Sequence, residues 1–249
     1  MGKERILFSK VIKMERIDKI IASQTNYSRK DVKKLISQKK VRVNDEIVKR
    51  PEQKFDEQQD TIYIDENKLD MKKHIYLVLN KPQGYISATE DRTAKTVLDL
   101  VPEEQYMRKG LFPAGRLDKD TTGMMIITDD GEFAHNILAP RKHIEKTYRV
   151  QIDIDITEQM KEKFKQGIVL KDHVCCPATI IVEDKNTALI TITEGKYHQI
   201  KRMFGCFGAK VVRLHRISMG GLQLPSDLEE GQCRELTKEE LEKVCIRYK

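Results

Sequence analysis

An α+β fold in two parts is what this sequence predicts, on three observations. Strand-like and helix-like segments do not alternate regularly, which argues against a doubly wound parallel sheet and for a mainly antiparallel mixed sheet flanked by helices. The charge is uneven: residues 1–50 hold 15 Lys/Arg against 6 Asp/Glu, a net of +9, where the whole 249-residue chain carries +7. A basic front end on a near-neutral body reads as an electrostatic docking module attached to something that works locally. Finally, Asp65 to Lys73 is polar and charged, as a linker would be. The expected boundaries are an extension over 1–13, a small basic domain with its linker over 14–72, and a larger domain over 73–249.

The bulk composition, 39% hydrophobic and 34% charged, is that of a soluble globular protein, and no apolar stretch approaches a membrane span. Met1 to Lys13 is basic but has no secretory h-region. The five cysteines are scattered, none in a C-x-x-C pair, and the adjacent Cys175-Cys176 suits neither a zinc site nor an ordinary disulfide. Reduced thiols in a cytoplasm are the expectation, which makes the Asn26-Tyr27-Ser28 sequon a coincidence. There is no H-E-x-x-H, no P-loop and no G-x-G-x-x-G after a strand. No metal and no cofactor are expected; a monomer is the expected state.

In order along the chain, Met14, Ile17, Ile20 and Ile21 fall at helical spacing within 14–24. Ser28 then reads as the N-cap of a second helix over 29–38, with Asp31 three residues on completing a capping box. Arg29, Lys30, Lys33 and Lys34 surround its apolar positions Val32, Leu35 and Ile36. A hairpin follows, Val41-Arg42-Val43 and Ile47-Val48 about a turn at Asn44-Asp45-Glu46, and an alternating strand at Thr61–Ile64 closes the module. Beyond the linker, strands are read at 75–80, 124–128, 147–156, 178–182, 188–193 and 211–214. Helices are read at 132–138, 157–167 and 197–204, with a weaker one at 238–244.

Among residues that could carry chemistry, Asp118 stands out. It sits behind Arg116-Leu117 in the glycine-bounded turn Gly115–Gly123, ahead of the apolar run Met124–Ile127. A carboxylate serves as nucleophile or base when held ionised in a dry pocket; burial alone neutralises it, and a close cation offsets that. If 197–204 is helical, Ile200, Met203 and Phe204 form its packing stripe and Lys201 and Arg202 flank it, so either could be that cation. Asp120, Asp129 and Asp130 read as turn and capping residues. Tyr148, by alternation alone, is a half-buried core position, and Lys81-Pro82-Gln83-Gly84-Tyr85 is a turn after a buried strand.

Three segments, 115–123, Lys146-Thr147-Tyr148 and Glu194–Met203, resemble the signatures of the pseudouridine synthases that modify ribosomal RNA. Residues 14–65 resemble the S4 RNA-binding domain, and the whole resemblance runs over about 14–236. It implies an isomerase that converts a uridine of rRNA into pseudouridine, with Asp118 essential and Tyr148 stacking on the target base. The last position of the family's His-Gln-Ile-basic motif, which pairs with the catalytic aspartate, is Lys201 here, with Arg202 as the alternative; lysine lacks the bidentate fork of the arginine many relatives carry. Arg116 would fill the gap left by the extruded base, and Lys81, in an Asn-Lys-Pro-x-Gly entry, would contact RNA. In the S4-like module the implied phosphate contacts are Ser28, Arg29, Lys33, Lys34, Lys40 and Arg42.

The stretches Asp120-Thr121-Thr122-Gly123, Thr128-Asp129-Asp130-Gly131 and Lys146-Thr147-Tyr148 look most like the branch acting on 16S rRNA, at a uridine-516 type position. A large-subunit synthase is the alternative within the family, and a non-catalytic S4-type assembly factor the alternative outside it. The implied partner is rRNA or a small-subunit assembly intermediate, without any membrane.

Overall fold

The computed structural model describes residues 14–57, 59–102, 106 and 108–246; the expected extension over 1–13 lies outside the described residues. The chain divides into two compact units. The first takes the residues up to Lys73 and also the segment ending at Lys109, which the sequence had left in the larger domain; the second takes His74–Pro102 and the chain from Gly110 onward.

The first unit holds β1 (Met14–Arg16), α1 (Ile17–Gln24), α2 (Arg29–Ser37), β2 (Val41–Val43), β3 (Glu46–Ile47), β4 (Lys54–Asp56), β5 (Ile62–Ile64) and β6 (Asn67–Lys68). Strand β1 pairs with β4, and the other four form a sheet in the order β3-β2-β5-β6. The capping box predicted for α2 is present: Ser28 Oγ accepts from the Asp31 N–H and the Asp31 carboxylate accepts from the Ser28 N–H. That cap matters because α2 has only two buried residues, Val32 and Ile36, to hold it. These two join Ile17, Ile20, Ile21, Val41, Val43, Val48 and Ile62 in the core of the unit. Met14 itself is extended and exposed, so the first helix starts at Ile17 rather than at 14.

The second unit holds β7 (Tyr76–Lys81), β8 (Phe112–Pro113), β9 (Thr122–Thr128), α3 (Gly131–Leu138), β10 (Lys146–Ile152), α4 (Glu158–Gln166), β11 (Thr179–Asp184), β12 (Thr187–Ile192), α5 (Gln199–Gly205), β13 (Val211–Met219), β14 (Leu222–Gln223), β15 (Cys233–Glu235) and α6 (Lys238–Val244). Its sheet runs β11-β12-β10-β13-β9-β7-β15, with β14 on β13 and β8 on β9. Every ladder between these strands is antiparallel except β13 with β9, joined through His215↔Thr122 and Arg216↔Gly123. This is the mainly antiparallel mixed sheet that the irregular element order predicts.

The ends of several elements are chemically marked. Asp130 caps α3 by accepting from the Phe133 N–H, and Thr157 caps α4 through the Met160 N–H. On the central strands the fully buried Val78, Met124 and Ile126 meet Ala134 and Ile137 of α3 in one apolar cluster. Burying aliphatic side chains of this size contributes about 1.5–3 kcal/mol each.

Strand β13 extends five residues past its predicted end. Arg213, His215 and Arg216 break the apolar alternation there, yet Arg216 is 2% exposed and belongs to the interior. Among the described residues no helix is long and apolar enough to cross a membrane.

Candidate active site

The turn carrying Asp118 connects β8 to β9 and is braced from the segment after β7. Ser87 Oγ donates to the Leu117 carbonyl (2.7 Å) and accepts from the Leu117 N–H (2.9 Å). The Gly84 N–H donates to the Lys119 carbonyl at 2.8 Å, and the turn closes on itself through the Thr121 N–H and the Asp118 carbonyl at 3.1 Å.

Lys81 supplies the strongest brace. It is fully buried, and its ammonium donates to the carbonyls of Thr121 (2.7 Å), Pro82 (3.1 Å) and Lys119 (3.4 Å). The RNA contact expected of Lys81 is corrected accordingly: a side chain with no exposed surface and three carbonyl acceptors orders the loop from within. Burial pushes its pKa down to about 8.

Two results should follow for Lys81→Met. Three carbonyls lose their donor, the turn loosens, and turnover falls about 10- to 100-fold, since a shift of about 1 Å at a catalytic group carries that cost. The pH dependence has a definite sign. Between about 8 and lysine's ordinary 10.5 the unfolded wild type binds more protons at this position than the folded one, so wild-type stability relative to the variant rises across that window. Urea unfolding of both proteins at the two ends of the window reads the difference; a flat difference would exclude a lowered Lys81 pKa.

At the tip of the turn, Asp118 is partly exposed and meets two groups from the α5 region. Lys201 Nζ on α5 lies 2.9 Å from Asp118 Oδ2, and His198 Nε2 lies 3.4 Å from Oδ1. Lys201 also reaches Asp120 Oδ1 at 2.5 Å. Burial by itself would lower the Lys201 pKa, but the hydrogen bonds and charges of Asp120 and Asp118 outweigh it and the net direction is up. For Asp120, likewise, burial works upward and the Lys201 ammonium brings the net value down. Lysine suits this arrangement: its three rotatable donors serve two carboxylates at once, where a planar guanidinium would favour one.

His198 is placed by its backbone. It is the N-cap of α5 in a left-handed conformation, φ 48°, and its ring stacks on Tyr197 with centroids 3.8 Å apart. A non-glycine residue held there is uncommon and marks a position fixed by its surroundings. The conformation also explains why α5 begins at Gln199 and not at 197. Arg202, the other candidate cation, turns away to form an ion pair with Asp172.

Tyr148 lies on β10, 7% exposed, and shares one pocket with Asp118, Arg116 and His198. The pocket is open to solvent and has Leu117, Ile192, Ile200 and Leu214 as apolar walls. Apolar walls with a few convergent polar groups are typical of sites that take a small molecule or an extruded base. Arg116 is exposed and lines the pocket from the same turn as Asp118.

Behind the tyrosine sits Arg216 of β13. Its Nη1 donates to Tyr148 Oη at 3.4 Å, its guanidinium carbon is 5.9 Å from the ring centroid, and its Nε donates to the Met124 carbonyl at 2.7 Å. One buried arginine thereby ties the tyrosine's strand to the strand that follows the Asp118 turn.

In the first unit the six predicted RNA contacts divide. Arg29, Lys33, Lys34 and Lys40 are exposed, though Lys40 also lies 3.4 Å from Asp65. Ser28 is engaged in its cap, and Arg42 lies over the Tyr63 ring at 4.0 Å with Nη1 donating to the Asn44 carbonyl. The sequence did not single out Arg216, and it assigned Asp120 to turn chemistry. Only the turn's Asp-x-Asp spacing pointed to two carboxylates on one cation.

Known proteins carry the same combination. The family model described as RNA pseudouridylate synthase matches residues 75–205, and the S4 domain model matches residues 15–62. A ribosomal small subunit pseudouridine synthase A of Escherichia coli is 41% identical over 92% of this chain and 99% of its own. An uncharacterised RNA pseudouridine synthase of Bacillus subtilis is 40% identical over 91% and 96%. A solved structure described as a pseudouridylate synthase is 38% identical, covers 92% of this chain and 99% of its own, and superposes with a TM-score of 0.65. With an S4 domain ahead of the Asp118 pocket and identity of this extent, the chain belongs to the RNA pseudouridylate synthase family, enzymes that isomerise uridine in RNA.

Proposed function

We propose that this enzyme converts one uridine of small-subunit ribosomal RNA into pseudouridine, with Asp118 as the reacting carboxylate. The observation that carries the reading is the Asp118 carboxylate, held by Lys201 at 2.9 Å in the pocket that also contains Tyr148. The small-subunit target is read from the E. coli relative's name and from the Asp120–Gly123 and Thr128–Gly131 sequences. The finer target, a uridine-516 type position in 16S rRNA, rests on the same residues.

The chemistry asks little of such a pocket. The N1–C1′ bond breaks, the uracil turns over, a C5–C1′ bond forms, N1 gains a proton and C5 loses one to solvent. Atoms and electrons balance with no outside reactant, so one carboxylate and a space for an extruded base suffice. Lys201 keeps the carboxylate paired with a cation, Tyr148 offers a stacking face worth about 1–3 kcal/mol per base, and Arg116 fills the space the uridine leaves. Arg29, Lys33 and Lys34 bring RNA phosphates to the S4 domain. The reading includes a cytoplasmic monomer, consistent with five free cysteines.

The direct test is a pseudouridine map of rRNA from cells with and without this protein. One small-subunit site should disappear; a lost large-subunit site, or no change, would overturn the assignment. The docking role has its own expected result. Arg29→Ala with Lys33→Ala should weaken RNA binding and flatten the slope of log K against log salt by about 0.7–0.9 for each phosphate that the variant no longer neutralises. Turnover at saturating RNA should be unchanged, which single-turnover kinetics would check.

A further inference from the structure

Strands β11 and β12 form an antiparallel hairpin in which Thr179 faces Thr191, so the chain entering β11 and the chain leaving β12 meet at one end. There, His173, Cys175 and Glu194 each bring one ligand atom, all within 4.8 Å of one another. His173 Nε2 and Cys175 Sγ are 3.7 Å apart. Two ligands at zinc's usual N and S bond lengths, placed tetrahedrally, stand about 3.6 Å apart.

Two of the three ligands, His173 and Glu194, are oriented from behind. His173 Nδ1 lies 3.2 Å from Asp172 Oδ1, the arrangement in which a carboxylate fixes the tautomer of a ligating imidazole and leaves Nε2 to the metal. Glu194 Oε1 accepts from the Cys176 N–H (2.9 Å) and from Gln199 Nε2 (2.7 Å). Both donors are neutral, while Glu194 is only 6% exposed, a setting in which a divalent cation would offset the burial of its charge. Cys175 is 2% exposed, and the His173 side chain keeps 20% of its surface, which leaves a way in.

We propose that His173, Cys175 and Glu194 form a binding site for one Zn²⁺, with the fourth position taken by water. One imidazole, one thiolate and one carboxylate make a donor set suited to zinc and too soft for magnesium or calcium. The adjacency of Cys175 and Cys176 hid the site in the sequence, because the partners of Cys175 are a histidine two residues back and a glutamate from the other end of the hairpin. The bound metal ties the 172–176 segment to the turn that leads into α5, the helix of Lys201. The site stands independently of the RNA target.

The test uses the full-length protein, stripped with a chelator and titrated with Zn²⁺ against a chromophoric competitor at neutral pH. The wild type should bind one equivalent. His173→Ala and Cys175→Ser should each abolish that tight binding, Asp172→Asn should weaken it about 10- to 100-fold, and Cys245→Ser should leave it unchanged. Tight zinc binding that survives in Cys175→Ser, or no stoichiometric binding by the wild type, would overturn the proposal. Because Cys175→Ser alters a buried position, Co²⁺ loaded into the wild type provides a second reading. A thiolate-to-cobalt charge-transfer band supports the site, and its absence sinks it whatever the variants do.

Discussion

Asp118→Asn should bind RNA as the wild type does and release no tritium from uridine labelled at C5, a loss of at least about 10³-fold in turnover. The amide keeps the size and shape of the carboxylate but not its charge. The fold is not at risk, because Lys201 retains Asp120 at 2.5 Å and its ammonium is not left unpaired. Asp120→Asn is the informative companion: it removes the other carboxylate, leaves Asp118 with Lys201 and His198, and should cost far less activity. Full tritium release by Asp118→Asn would end the assignment of the reacting group, and equal losses in the two variants would place the chemistry on the pair.

Gly123→Ala should destabilise the catalytic unit by more than about 3 kcal/mol. Gly123 adopts φ +99°, where an L side chain is strained, and a Cβ built there would lie 2.3 Å from the Arg216 carbonyl oxygen and 2.7 Å from its amide nitrogen. Backbone strain of this kind costs on the order of 1–3 kcal/mol, and here the clash is with main chain that has no free rotamer to move. Relief requires β13 to part from β9 at Arg216↔Gly123, one of the two pairs in the register of their ladder. Denaturant unfolding measures the loss. Activity should fall with it, because Arg216 also holds Tyr148. A variant as stable as the wild type would show that β9 and β13 are not so close.

Much of this could be read from residue order, and what could not has identifiable causes. The two-part α+β architecture shows because periodicity, caps and the charge of the first 50 residues are local properties. Ser28 with Asp31 marks a helix start whatever surrounds it. Asp118 was legible from its glycine-bounded turn and its resemblance to a known signature. The choice between Lys201 and Arg202 was not, since both flank the packing stripe of α5; it is decided by Asp172, thirty residues away, which engages Arg202. Lys81 was misplaced for a general reason: a lysine at a strand end is normally solvated, and only the carbonyls of a distant loop make its burial tolerable. Arg216 stayed hidden because an arginine amid Arg213 and His215 looks like an exposed face until the neighbouring strands are known.

The position of β13 bears on when the enzyme becomes competent during its own synthesis. Asp118 leads into β9, Tyr148 is borne by β10, and the strand inserted between those two is translated more than sixty residues after the tyrosine. A nascent polypeptide released only as far as α5 already owns every side chain assigned to catalysis, yet the two half-sheets bearing them still lack the strand that joins them. Maturation of the pocket is therefore a late event, completed only once the Val211–Met219 stretch has cleared the exit tunnel.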